Sequence, residues 1–270
     1  MKKNVRSIDA ILACRVQGSR LYGKPLQSLV PGGITILESL ISYLRTIQSL
    51  RKIVLAISEG EENHGFICLA QRLSIPYHIG DENDVLKRII HTATKEGTDV
   101  VFRITTEGPF VLSEYADPII QKFFDGDYDW ASYKDAPEGT SFELITTKAL
   151  KTSHENGTAR NRSELVTSYI CEHQNEFKML FEELPKKLRR PEIRLTVDYA
   201  EDLVFCQTVY RNLKKEESLI SVEEIISFWD QNPEIRKPVE TIGLDWGTGR
   251  LIWTSSDVKL ASTKNASMEK

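Results

Sequence analysis

The chain has 270 residues, 40% of them hydrophobic, and a net charge of -4. That length fits one α/β domain with elaborations, or at most two small domains, with enough apolar residues for a core. The acidic balance argues against nucleic acid or an anionic membrane as partner, and no apolar run approaches the roughly 20 residues of a membrane span.

The first strand is expected at Ile8–Leu12 in the stretch IDAILACRVQGSRLYGKP, and a loop carrying Arg15, Gly18, Ser19, Arg20, Gly23 and Lys24 follows. Ligands of open α/β sheets bind at the carboxyl ends of strands. Small residues there leave backbone N–H groups free to wrap phosphates, and Arg and Lys neutralise them. The loop therefore reads as a nucleoside triphosphate site. Gly18 to Lys24 fits the first seven places of a P-loop, but the eighth, which should be a hydroxyl ligand of magnesium, is Pro25. A basic surface loop is the plainer alternative.

Beyond Pro31-Gly32-Gly33, Thr35 with Glu38 forms a capping box for a helix whose apolar face includes Ile36, Leu37, Leu40 and Leu44. Strands are expected at Lys52–Ile57 and Pro76–Ile79, with a helix over Glu61–Leu73 between them. Asp81 or Asn83 can cap the next helix, which buries Val85, Leu86, Ile89 and Ile90. Asp99–Thr105 reads as a central strand, Glu114–Phe124 as a helix, and Asp127–Tyr133 and Ser141–Ile145 as strands. Residues 154–164 read as a polar connection, mobile or ordered by ligand, and Phe177–Leu184 as a further strand. Asp198 is expected at a strand end, capping a helix that carries Leu203, Val204 and Val209, and Ser221–Asp230 as the last helix. Alternating strands and helices argue for a mainly parallel sheet. The N-terminus is basic but lacks a signal-peptide core. Four scattered cysteines without a CxxC read as the reduced thiols of a cytoplasmic protein.

Several of these segments, in order, resemble the sugar-nucleotide cytidylyltransferases, and in particular the spore-coat-polysaccharide branch related to CMP-KDO and CMP-sialate synthetases. The family signature A-R-x-x-S-x-R-L-P-G-K-P-L stands here as Ala13 to Leu26, with Cys14 inserted and Tyr22 in place of Pro. G-S-E-D-D-V-L stands as Gly80 to Leu86, and R-I-T-G-D-C-P as Arg103 to Pro109, with Glu107 in the Asp position and Gly108 in that of Cys. R-E-H-V-T-P-Y-I stands as Ser163 to Ile170, and R-L-T-V-D-T-P-E-D-L as Arg194 to Leu203.

The resemblance implies a Rossmann-like sheet flanked by helices, of the GT-A-like nucleotidyltransferase kind, with a small dimerisation flap. It places the catalytic domain at 1–245, an acceptor and dimerisation insertion at about 154–190, and a C-terminal tail at 246–270. It implies transfer of CMP from CTP to a sugar-acid or phosphonate acceptor, with pyrophosphate released. Arg15 and Lys24 would be catalytic. Ala13, Arg15, Gly18, Ser19, Arg20, Lys24, Gly80, Asp84, Val85, Arg88 and Thr105 would hold the nucleotide, and Glu107 and Asp198 a magnesium ion. Glu143, Arg160, Arg162, Glu164 and Thr167 would serve the acceptor, although Glu143 reads equally well as an outward strand residue. Glu107 sets its carboxylate about 1.5 Å farther out than Asp would, one C–C bond more. Two alternatives stand beside this reading: uridylyl or thymidylyl transfer to a sugar phosphate, and a homologue that binds nucleotide without turnover.

Overall fold

Seven strands form one sheet in the order β3-β2-β1-β4-β6-β5-β7. They are β1 (Ile8–Cys14), β2 (Lys52–Ser58), β3 (Tyr77–Gly80), β4 (Val100–Arg103), β5 (Trp130–Lys134), β6 (Glu143–Thr146) and β7 (Met179–Glu183). The computed structural model describes residues 6–236, apart from Ser19 and Glu217. The expected C-terminal tail, 246–270, lies outside the described residues. Strands β3, β2, β1 and β4 pair in parallel; β6 runs against β4 and β5, and β7 pairs with β5 in parallel. Only β6 is reversed, so β1 and β4 end at the same edge.

The apolar run of β1 is covered on both faces, as expected for a parallel strand inside a sheet. Ala10, Leu12 and Cys14 face one core together with α1 (Ile36–Leu44), α2 (His64–Leu73), α4 (Ala116–Gly126), α7 (Ala200–Leu213) and α8 (Val222–Gln231). Ile11 faces the other core, with α3 (Val85–Glu96), α5 (Thr147–Asn156) and α6 (Ser168–Glu172). None of the described helices is long and apolar enough to cross a membrane.

The capping box of α1 forms as expected, and Ser221 with Glu224 makes the same device for α8. The start of α3 differs from expectation. Its cap is Asp84, whose carboxylate accepts from the Lys87 N–H at 2.7 Å. Asp81 instead accepts the N–H groups of Asn83 and Asp84. A turn closed by Asp81 postpones the helix, a competition typical of Asx residues.

Residues 154–164 are also more regular than expected. Helix α5 runs to Asn156, and a 3-10 turn covers Arg160–Arg162. Buried Asn161 holds this corner: its amide oxygen accepts from the Thr158 N–H at 2.9 Å, and its Nδ2 donates to Ser168 Oγ at 2.9 Å.

Residues 194–197 form no regular strand but an extended segment joined to Glu138 by a single bridge. Asp198 does not cap α7. Tyr199 holds the cap position, and Asp202 reaches back to accept the N–H groups of Asp198 and Tyr199, both at 2.9 Å. That leaves the Asp198 side chain available for other work.

Two glycines let the segments after β4 and before α7 stack through residue 139. A Cβ on Gly108 would lie 2.4 Å from the Gly139 carbonyl oxygen. A Cβ on Gly139, which has φ +89°, would lie 2.7 Å from the Thr196 nitrogen. Main-chain bonds complete the stack: the Val197 N–H donates to Glu107 O at 2.9 Å, and the Leu195 N–H to Glu138 O at 2.8 Å. Gly139→Ala is therefore expected to cost about 1–3 kcal/mol, from positive φ and a main-chain clash together. Urea unfolding checks this; an unchanged midpoint would show that the stack can yield.

Candidate active site

The loop after β1 is shaped by main-chain contacts. Asn63 Oδ1 accepts from the Val16 N–H at 2.9 Å, and the Gly23 N–H donates to Val16 O at 2.7 Å. Gly23 takes φ +61° and leads into a 3-10 turn, Lys24–Leu26, with Pro25 at its start. Proline suits that position because its fixed φ is already helical and its missing N–H would have had no partner. Pro25 thus serves a turn where a P-loop would carry a magnesium ligand. Gly18 passes close over the chain: a Cβ there would lie 2.6 Å from Leu21 O. Ser19 lies outside the described residues.

The turn sends Lys24 inward, where it is 7% exposed. Its Nζ donates to Glu107 Oε1 at 3.1 Å and to Asp198 Oδ1 at 2.9 Å. The two carboxylates expected to hold metal are therefore brought together, from the segment after β4 and the segment before α7. Arg20 Nη2 also donates to Asp198 Oδ1, at 3.0 Å, and its guanidinium lies 5.0 Å over the Tyr199 ring. Arg15 Nη2 donates to Glu164 Oε2 at 2.7 Å.

Electrostatics divide the two carboxylates. Burial pushes the Glu107 carboxyl above its ordinary value and the Asp198 charge adds to this, against the pull of Lys24. Burial also opposes ionisation of Asp198, but the hydrogen bond and charge of Lys24, with Arg20 and Arg194, hold its carboxyl below the usual range. Asp198 is the charged anchor of the site, and Glu107 its more weakly acidic neighbour.

Behind Asp198 stands Arg194, 3% exposed. It donates to Asp198 Oδ2 at 3.2 Å, to Asp202 Oδ2 at 3.1 Å and to Glu138 Oε2 at 2.6 Å. Sequence reasoning named no site role for Arg194 or Asp202. The spacing Arg194–Asp198–Asp202, charged groups four apart, was the available signal.

The other expected nucleotide residues lie near the ends of β1, β3 and β4. Ala13 O accepts from Thr106 Oγ1 at 3.1 Å, and Thr105 is exposed just past β4. Gly80 packs on the Arg88 stem, where a Cβ would come within 3.1 Å of Arg88 Cγ. Val85 and Arg88 are buried, and Arg88 Nη1 donates to the carbonyls of Asp81 at 2.6 Å and Glu82 at 3.4 Å. Besides capping α3, Asp84 faces His154 Nε2 at 2.8 Å. These contacts build the 80–85 loop.

The expected acceptor residues divide. Glu143 is not an outward strand residue. It is 4% exposed, and its oxygens accept from Trp130 Nε1 at 2.7 Å and Arg103 Nη1 at 2.5 Å. Arg160 faces Glu172 at 3.5 Å, and Arg162 Nη2 donates to His154 O at 2.9 Å. Both cations hold the α5–α6 corner. Thr167 is fully buried, and its hydroxyl has no hydrogen-bond partner among the described residues. Of the five, Glu164 meets the loop after β1, through Arg15.

Among the described residues, no three His, Cys, Asp or Glu form a group able to hold a metal ion. The two-carboxylate pair nevertheless fits magnesium. That ion takes one or two carboxylates and completes its shell with phosphate oxygens and water. One ammonium already bridges Glu107 and Asp198, so their oxygens converge on a single cation.

The site thus gathers cations and a carboxylate pair beside the carboxyl ends of the parallel strands β1 and β4. Residues 10–233 match the cytidylyltransferase family, and the chain belongs to it. An uncharacterized protein of Methanocaldococcus jannaschii is 33% identical over 231 residues, spanning 85% of this chain and 93% of the relative. The spore coat polysaccharide biosynthesis protein SpsF of Bacillus subtilis is 29% identical over 234 residues, spanning 83% and 94%. A solved cytidylyltransferase from Leptospira borgpetersenii shares the fold with a TM-score of 0.77 at 20% identity, covering 85% of this chain and 96% of that one.

Proposed function

We propose that this nucleotidyltransferase transfers CMP from CTP to a hydroxyl of a sugar-acid-type acceptor, or to a phosphonate, in surface polysaccharide synthesis. The observation that carries the reading is Lys24 held between Glu107 and Asp198, with Arg15 and Arg20 on the same loop. Membership of the cytidylyltransferase family supports CTP as the nucleotide, and the spore coat role of the Bacillus subtilis relative supports the polysaccharide context.

In this reading the acceptor oxygen attacks the α-phosphorus, and the bond to the bridging oxygen of the β-phosphate breaks. Pyrophosphate leaves and the hydroxyl proton passes to water. Arg15, Arg20 and Lys24 bind the triphosphate and stabilise charge on the departing group, so catalysis is mainly positioning and electrostatics. Glu107 and Asp198 would hold magnesium, which neutralises phosphate charge when bound. Four free cysteines among the described residues suit a cytoplasmic setting. The expected flap strand is β7, at the sheet edge beside β5, and we place the interface of a homodimer on that side.

Pyrophosphate release with magnesium, each of the four nucleoside triphosphates and dTTP, and a panel of sugar acids, sugar phosphates and phosphonates tests the proposal. Release with CTP and a sugar acid or phosphonate is expected; release only with UTP or dTTP and a sugar phosphate would replace it. Glu107→Ala is expected to lower kcat about 10²-fold or more and to raise the magnesium needed for half-activity, with Glu107→Asp retaining measurable turnover. Full activity in the Ala variant would overturn the metal role.

A further inference from the structure

Each described cation of the loop after β1 is matched to a carboxylate. Lys24 and Arg20 share Asp198, and Lys24 also meets Glu107. Those carboxylates have a place in the proposed metal site. Arg15 is matched to Glu164, which has none, across 149 residues of sequence. The Glu164 side chain is 70% exposed, so apolar packing does not hold it there.

What holds it is Arg103 at the end of β4. Arg103 Nη2 donates to the Glu164 main-chain oxygen at 3.1 Å, while Nη1 donates to buried Glu143 at 2.5 Å. The other Glu143 oxygen accepts from Trp130 Nε1 at 2.7 Å. Fixed polar contacts thus run from β5 through β6 and β4 and present Glu164 to the phosphate loop.

We propose that the Glu164 carboxylate stands in for a nucleotide phosphate oxygen on Arg15, and that Arg103 is the positioning residue that presents it. The proposal rests on reading this loop as the triphosphate site. An Arg guanidinium takes carboxylate and phosphate oxygens alike. Two anions cannot share Arg15 without repulsion, so an entering triphosphate displaces Glu164. Binding at the loop is thereby coupled to release of the 163–167 segment.

The test is calorimetric binding of CTP and, separately, of inorganic pyrophosphate to the full-length protein. Glu164→Gln is expected to tighten both by roughly two- to fivefold, the range an exposed ion pair supports. Arg103→Lys keeps a cation beside Glu143 but loses the fork that reaches the Glu164 carbonyl, and it is expected to shift both in the same direction. Arg15→Gln is expected to weaken both and to make Glu164→Gln silent when the two are combined. If Arg15→Gln weakens binding while Glu164→Gln leaves it unchanged or weaker, the placeholder role fails and the phosphate site stands. If Arg15→Gln changes nothing, the triphosphate reading of the loop fails, and the proposal with it. Glu164 is exposed, so an unchanged melting temperature is expected to accompany its variant.

Discussion

Replacing Lys24 with Met is expected to lower kcat by about 10²–10³-fold, the usual effect of deleting one group that stabilises charge in a transition state. Methionine keeps the length and much of the bulk of the stem, so the 3-10 turn and its buried course are retained. The ammonium is lost, and Glu107 and Asp198 then face each other without the cation that touches both. Asp198 still has Arg20 and Arg194, and Glu107 keeps some solvent contact. The stability cost is therefore expected to be smaller than the catalytic one. Steady-state kinetics alongside thermal unfolding separates the two. A variant with near-normal kcat and a raised KM would make Lys24 a binding group only.

Replacing Arg194 with Met is expected to reverse that balance, with a loss of about 3–5 kcal/mol in stability. The guanidinium is almost wholly buried and serves Asp198, Asp202 and Glu138 together. Burial works against its charge, but these three carboxylates hold its pKa above the ordinary value. Removing the cation leaves carboxylates in a dry setting that favours none of them. Asp202 also accepts the N–H groups that begin α7, so the helix start is expected to loosen as well. Urea unfolding with a helical signal reads both effects. A loss below about 1 kcal/mol would show that water reaches the cluster.

Much of the path to the site is legible in the chain. The apolar run Ile8 to Leu12 announces a buried strand, and the glycines and cations after it announce a loop at the strand's carboxyl end. Thr35 with Glu38 gives the start of α1 because both partners of that cap lie within four residues. Glu107 and Asp198 come together as the resemblance implies. The misplaced features depend on groups distant in sequence. Nothing near Glu143 shows that Trp130 and Arg103 will draw its carboxylate inward. The reversed direction of β6 leaves no trace in its alternation, because a strand buries the same residues whichever way it runs. At Asp81 two local hydrogen-bonding solutions compete, and composition does not rank them. The extended segment at 194–197 looks like a strand because its apolar residues are buried, but its backbone pairs with Glu138 at one bridge rather than along a ladder.

The hydrogen bond from the Val197 N–H to Glu107 O divides the site into two mechanical parts. The carboxylate pair hangs from main chain that is bonded to itself and wedged through Gly108 and Gly139, so its span is a property of the backbone. The cations hang from a loop whose Arg15 and Arg20 are tethered by side chains alone. The span between Glu107 and Asp198 is thus set by the backbone, whereas Arg15 and Arg20 reach their partners through side chains that other rotamers would re-aim.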